Sequence, residues 1–200
     1  MLAQIAFQMN RATLAVTVLA VLALIGCAKD TPEERLAAAR AHLAKNEHAA
    51  AVIELKNALQ ANPKLAEARL LLGSSLLQTG DAAGAEKELR RALDLGAPRN
   101  EVVPPLAQAM VSLGQFDEVV KQFGAEDVGA PERQADLATS LGQARMGLRQ
   151  LQEAQGEFTK ALSLRPDYAP AMLGSAQLKV KLGDLAGALE LTRAAIASAP

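Results

Sequence analysis

The feature that most limits what this chain can fold into is a recurrence every 34 residues. Ala51, Leu55, Ala58 and Pro63 return as Ala85, Leu89, Ala92 and Ala97, with Pro98 one place late. Ala154, Ala161 and Pro166 return as Ala188, Ala195 and Pro200, and glycine punctuates the register at Gly80, Gly114 and Gly183. A fixed period of this size marks one supersecondary unit stacked on its neighbours. A generic helical bundle has no reason to hold such a register. Composition says what the unit is made of. Half of the 200 residues are hydrophobic, yet there are only four Phe, one Tyr and no Trp. The apolar content is mostly Ala and Leu, which are strong helix formers, whereas sheet cores recruit β-branched and aromatic residues. The chain therefore reads as all-α: a solenoid of antiparallel helix pairs.

A 34-residue helical period resembles the tetratricopeptide repeat (TPR). That pattern asks for a large residue at position 7, a small one at 8, Gly near 15, Ala at 20, a bulky residue at 24, Ala at 27 and Pro at 32. Five units fit it, 32–65, 66–99, 100–134, 135–168 and 169–200, and the resemblance implies a right-handed superhelix. The step from the third unit to the fourth takes 35 residues, placing one insertion near the loop Gly124 to Pro131. Small residues at 8 and 20 (Gly73 with Ala85, Gly142 with Ala154, Ala176 with Ala188) let the two helices of a unit approach closely. Leu55, Leu89, Phe123 and Phe158 at position 24 fill the space between them. Ala58, Ala92, Ala161 and Ala195 at position 27 let the next unit stack. Gly80-Asp81 and Gly183-Asp184 read as a terminating glycine followed by an N-capping aspartate. Pro63 and Pro166 stop the second helix, because proline lacks the N–H and clashes with the preceding turn.

Two units depart from the pattern. The third, read as degenerate, carries Pro104-Pro105 in its first helix and Val119 at position 20, and its second helix stops at Gly124, so the solenoid is expected to bend or loosen there. The first has His42 in the usual Tyr slot, expected to fill the core, and Asn46 in place of Gly. His48 is expected to be exposed near the inter-helix turn. Pro200 falls at position 32 of the fifth unit with no solvating cap helix after it. Terminal repeats normally need a polar outer face. The stack is therefore expected to continue past Pro200, or to be covered by a partner.

The first residues read as an address. Residues 12–25 contain no charged group and, as a helix, span about 21 Å. A membrane span needs about 20 residues, so 1–26 fits a signal peptide. The run ends in Leu24-Ile25-Gly26-Cys27, which resembles the bacterial lipobox. The thiol of Cys27, the chain's single cysteine, is the group that would take the lipid, and 27–31 is the linker that follows. Ala28 in place of aspartate leans toward the outer rather than the inner membrane. The expected location is thus the envelope of a Gram-negative bacterium, lipid-anchored and periplasm-facing.

A closer resemblance lies in Ile53-Glu-Leu-Lys-Asn-Ala-Leu-Gln-Ala-Asn-Pro63, Ala66-Glu-Ala-Arg-Leu-Leu-Leu-Gly73 and Ala85-Glu-Lys-Glu-Leu-Arg-Arg-Ala-Leu-Asp-Leu-Gly96. With the lipobox before them, the Val102-Val-Pro-Pro-Leu-Ala107 stretch and the Gly114-Gln-Phe-Asp turn, these are similar to the TPR-repeat lipoprotein of PEP-CTERM/exosortase systems. That resemblance implies a scaffold in exopolysaccharide production or protein sorting. The alternative is an outer-membrane TPR lipoprotein that assists secretin, pilus or outer-membrane protein assembly.

Partner contacts are expected on the first helix of each unit, where positions 5, 9 and 12 usually point into the concave face. Position 9 reads Arg40, Ser74, Gln108, Gln143 and Gln177, a polar ladder. Position 12 (Leu43, Leu77, Val111, Met146, Val180) and position 5 (Leu36, Leu70, Pro104, Thr139, Leu173) form a mostly apolar rail. Such a groove suits an extended peptide of another envelope protein, amides pairing with its backbone and the rail taking its side chains. The Lys/Asn set that captures an acidic C-terminus does not recur on these positions. A net charge of −1 with no basic stripe argues against nucleic acid. His42 and His48, six apart, miss the spacing of a helical metal pair, and neither a Gly-rich phosphate loop nor a Ser-His-acid set is present. No metal, cofactor, small-molecule substrate or enzymatic activity is expected.

Overall fold

The computed structural model describes residues 30–198, and these form ten α-helices joined by short turns. The lipobox residues Leu24, Ile25, Gly26 and Cys27 lie outside the described residues. The helices pair as α1 (Pro32–Leu43) with α2 (His48–Ala61), α3 (Ala66–Gln78) with α4 (Ala82–Asp94), α5 (Arg99–Ser112) with α6 (Phe116–Phe123), α7 (Pro131–Gly147) with α8 (Leu151–Leu164), and α9 (Ala169–Lys181) with α10 (Leu185–Ser198). Each second helix packs chiefly against its own partner and, for α2, α4, α6 and α8, the first helix of the next pair, the neighbour-only contact scheme of a solenoid.

Local chemistry sets the helix ends. Thr31 and Glu34 close a reciprocal capping box on α1: Thr31 Oγ1 accepts from the Glu34 amide at 3.2 Å, and Glu34 Oε2 accepts from the Thr31 amide at 2.7 Å. Asp81 Oδ1 accepts from the Gly84 amide at 2.8 Å and Asp184 Oδ1 from the Gly187 amide at 2.9 Å, as N-caps of α4 and α10. At position 15, between the helices of every pair, the backbone is left-handed: Asn46 φ 58°, Gly80 87°, Gly114 75°, Arg149 61° and Gly183 83°. Asparagine visits this region readily and glycine without cost; arginine does so only under strain.

The core follows the small and bulky positions. Leu55, Leu89, Phe123 and Phe158 are all buried. A Cβ on Gly73 would lie 2.5 Å from Leu89 Cγ and 3.2 Å from the Ala85 carbonyl oxygen, so this glycine is what lets α3 and α4 close. Phe158 sits between two such gaps: a Cβ on Gly142 would approach its ring to 2.7 Å, and one on Gly174 to 2.4 Å. One continuous apolar cluster runs from Leu36 to Ala144. The last two pairs hold only two small clusters, one entirely of buried alanines (Ala135, Ala138, Ala161, Ala171) and one around Ala154, Phe158 and Leu178.

Three expectations are corrected. The third unit does not loosen. Pro104 and Pro105 lie inside an unbroken α5 that buries Val102, Val103, Leu106, Ala107, Ala109 and Met110. The carbonyls they orphan belong to Asn100 and Glu101, both exposed, so water can satisfy them. Because α6 is only eight residues long, α5 packs directly along α7. The inserted loop is tied down as well: Arg99 is bidentate to Glu126 at 2.9 and 3.0 Å, Val128 is buried, and Gln134 Oε1 accepts from the Val128 amide at 3.0 Å. Second, His42 does not fill the core. It is half-exposed, as Arg145 and Lys179 are at the same position of later units, with Nδ1 2.6 Å from Glu47 Oε2. Third, His48 is half-buried as the first residue of α2, with Nδ1 buried and unpartnered.

Candidate functional site

The first helices α3, α5, α7 and α9 line a concave face, and two cavities occupy it. One of about 460 Å³ is bounded by Ser74, Leu77 and Gln78 of α3, Pro104, Pro105 and Gln108 of α5, Arg133, Asp136, Thr139, Ser140 and Gln143 of α7, with Tyr168 and Pro170. The other, of about 390 Å³, is bounded by Val111, Phe116, Gln143, Met146, Gly147, Arg149, Gln177 and Lys181. Gln143 lines both, so the two cavities adjoin along this face.

Four of the five ladder residues are gathered there: Ser74, Gln108, Gln143 and Gln177. Side-chain hydrogen bonds are made by Gln115, Gln134 and Gln150. Among the described residues, none is made by the amides of Gln108, Gln143 or Gln177. The groove thus presents donors and acceptors that the fold itself does not use. Arg40 lies elsewhere: it lines neither cavity and is bidentate to Glu67 at 2.5 to 2.8 Å, bridging α1 to α3.

The expected rail resolves into two parts. At position 12, Leu77, Val111 and Met146 line the groove, half-buried and available. Position 5 belongs to the packing instead. Leu36, Leu70, Pro104 and Thr139 are buried, and Thr139 Oγ1 bonds back to the Ala135 carbonyl at 2.8 Å, so Pro104 and Thr139 offer the groove only a floor. Leu173 and Val180, the fifth unit's residues at these positions, are exposed at 43 and 53 %.

Charge in the groove is one-sided. Asp136 is held by Arg165 at 3.2 Å, and the Arg165 guanidinium stacks 3.9 Å over the Tyr168 ring. Burial and a hydrogen bond to Asp136 push the Tyr168 hydroxyl well above its ordinary range, so it stays protonated. Arg133, Arg149 and Lys181 are exposed and make no ion pair among the described residues. Sequence reading of positions 5, 9 and 12 missed these three cations because they sit at the ends of the first helices. The signal for Arg149 was legible as a non-glycine at position 15. A strained residue whose side chain opens into a cavity is the pattern seen where a site is maintained against stability.

Among the described residues, no three His, Cys, Asp or Glu side chains come close enough to hold a metal ion, and no helix is long and apolar enough to cross a membrane.

Two family models, both described as tetratricopeptide repeat, match residues 36–100 and 145–200. The chain is a tetratricopeptide-repeat protein. Solved structures carry the same fold. MamA (residue 41 to the end) from Desulfovibrio magneticus RS-1 is 19% identical, with TM-score 0.66 over 86% of this chain and 97% of that one. PilF of Pseudomonas aeruginosa is 18% identical, with TM-score 0.64 over 84% and 77%. TTC0263, a thermophilic TPR protein of Thermus thermophilus, is 21% identical, with TM-score 0.68 over 85% and 92%. No curated protein sequence matches the chain significantly. As a TPR protein the chain is a scaffold for protein–protein interaction. The matched regions leave 101–144 between them, the proline-bearing third unit and the start of the fourth, whose helices stack like the rest.

Proposed function

We propose that this TPR protein is a lipid-anchored scaffold of the cell envelope whose concave groove holds an extended segment of another protein. The observation that carries the reading is the groove of two adjoining cavities in which, among the described residues, the amides of Gln108, Gln143 and Gln177 make no hydrogen bond, beside the Leu77, Val111 and Met146 rail. An extended peptide exposes one N–H and one C=O per residue, and side-chain amides can answer both. The free cations Arg133, Arg149 and Lys181 favour a segment with net negative charge. Pull-downs comparing wild type with Gln143→Ala/Gln177→Ala test this: partners lost in the double variant support the groove, and unchanged capture retires it.

The anchor rests on Leu24-Ile25-Gly26-Cys27 after a 14-residue uncharged run. Cys27→Ser is expected to abolish lipidation and move the protein out of the membrane fraction. A variant still processed and membrane-bound like its parent contradicts the lipoprotein reading. The biological setting is the part that rests on resemblance alone. A role in PEP-CTERM/exosortase-linked exopolysaccharide production or sorting is supported by the Ile53–Pro63 and Ala66–Gly73 stretches together with the lipobox. Deleting the gene should reduce exported exopolysaccharide or leave sorted proteins unprocessed, and a strain normal in both excludes that setting.

A further inference from the structure

Two further cavities lie away from the concave face, each where the second helices of adjacent pairs flank the first helix of the later pair. They share a place in the repeat and differ in chemistry. The one between α8, α9 and α10, about 250 Å³, is mostly apolar, with Phe158, Leu162, Leu178 and Leu191 in its lining. Its two ionisable groups, Lys179 and Asp184, neutralise each other at 2.5 Å. The one between α2, α3 and α4, about 470 Å³, keeps an apolar floor of Leu59, Leu72 and Leu76 but is rimmed by Lys56, Lys87 and Arg91. Where the early pairs have Lys56, Lys87 and Glu88, the repeat frame puts Thr159, Glu190 and Leu191 at the corresponding late positions.

The acids of the early cavity are already engaged. Glu88 accepts from Arg69 at 2.5 Å and from Arg91 at 3.1 Å, and Arg69 also donates to the Pro63 carbonyl oxygen at 2.6 and 3.0 Å. Asp81 caps α4. Lys56 and Lys87 are exposed and make no ion pair among the described residues, so the surplus is cationic. The imbalance extends to the surrounding surface. Among the described residues from Asp30 to Asp94, Lys45, Lys56, Lys64 and Lys87 lack an ion pair, whereas Glu33 and Asp94 are the acids with neither an ion pair nor a capping bond.

Most of these cations lie at the end of the stack from which the chain leads back to Cys27. α2 returns alongside α1, with Arg35 2.8 Å from Glu54, so Lys56 is level with the N-terminal half of α1. Arg91 stands in the same relation to α3, and Lys64 is in the loop joining α2 to α3. Thr31, the cap of α1, is four residues after Cys27, at most about 14 Å of chain. With that thiol lipidated, this end of the molecule is within reach of the bilayer surface. An anionic headgroup layer attracts lysines that come within a Debye length, each strengthening association about fivefold. A phospholipid also matches the cavity's division into cationic rim and apolar floor, since its phosphate is joined to acyl chains.

We propose that the cavity between α2, α3 and α4 is a second membrane contact, seating the phosphate of an anionic phospholipid against Lys56, Lys87 and Arg91. The contact turns the first two units toward the bilayer and leaves the concave face free for a partner. It rests on the lipid-anchor reading for its setting, and its test does not use the anchor.

Residues 28–200 hold all ten helices and every core cluster and carry no lipid. Their sedimentation with vesicles of phosphatidylcholine alone is compared with that of vesicles also containing phosphatidylglycerol. Partition into the anionic vesicles should be stronger by about tenfold or more, and Lys56→Gln/Lys87→Gln should remove most of the difference. Lys160→Gln/Arg193→Gln, which removes two exposed cations from α8 and α10, should retain it. Equal partition of the parent into both vesicles overturns the proposal and leaves an acidic protein segment as the occupant the cavity fits. A difference that survives Lys56→Gln/Lys87→Gln overturns it too, as does an equal loss in both double variants, which would make general charge the cause. Membrane retention of Cys27→Ser would contradict the anchor and leave these outcomes unchanged.

Discussion

Phe158 is wedged between Gly142 on α7 and Gly174 on α9, and it is the largest side chain fully buried. Glycine here is a steric requirement, which gives opposite expectations for neighbouring substitutions. Gly142→Ala would put a methyl group 2.7 Å from the ring and should destabilise by about 1–3 kcal/mol, the usual range for overpacking. Gly156, exposed on α8 with open space around its Cβ direction, should instead gain about 0.5–1 kcal/mol as Gly156→Ala. Urea melts of both variants check the pair. Arg149 makes a third case. Its left-handed backbone costs about 1–2 kcal/mol, so Arg149→Gly should stabilise the fold by about that amount while weakening partner capture, if its charge serves the groove. Stabilisation with capture unchanged would leave the strained arginine without a role there.

Helix ends are where elements can be tested singly. Asp81→Ala removes the N-cap of α4 and should cost about 1 kcal/mol. Asp184 caps α10 and pairs with Lys179 at 2.5 Å, and these contacts hold its carboxyl below the ordinary range, as the His42 contact does for Glu47. A group whose folded pKa is lowered contributes stability above its unfolded value and loses it as pH falls through the lowered one. Melting temperature should therefore drop on the acid side of the carboxylate range, and more shallowly in Asp184→Asn, which keeps a cap but not the titration. Equal acid slopes would show that the pair contributes nothing. Elements were also the scale at which sequence was most informative. The helix pairs, the Gly-Asp turns and the position 24 side chains follow from period and local stereochemistry. The continuity of α5 did not, because a proline pair costs little when the carbonyls it orphans face water, and exposure is a tertiary fact. His42 misled for a related reason: position 11 of the frame is buried as Leu76 and Met110 but only half-buried as Arg145 and Lys179, so the frame alone does not fix its burial. In the groove, positions 9 and 12 were legible from the repeat frame. Arg40's engagement with Glu67 and the burial of most of position 5 depend on how far neighbouring helices turn toward each other, which no single unit encodes.

At the scale of the whole molecule, the core thins along the chain, from the continuous cluster ending at Ala144 to small alanine-rich clusters in the last two pairs. A solenoid's stability is close to a sum of unit and interface contributions, so α9 and α10 should open first, and their amides should exchange faster than those of α3 to α5. Rigidity is thus concentrated where α3, α5 and α7 form most of the groove wall. Site-specific photo-crosslinking in the native host addresses the central claim, that this wall is where a partner lies. A photoreactive residue placed at Gln143 or Gln177, inside the groove, should give a discrete crosslinked adduct, and one placed at Gln152, exposed on α8 and outside both cavities, should not. Adducts from Gln152 alone, or equally from all three positions, would contradict the account.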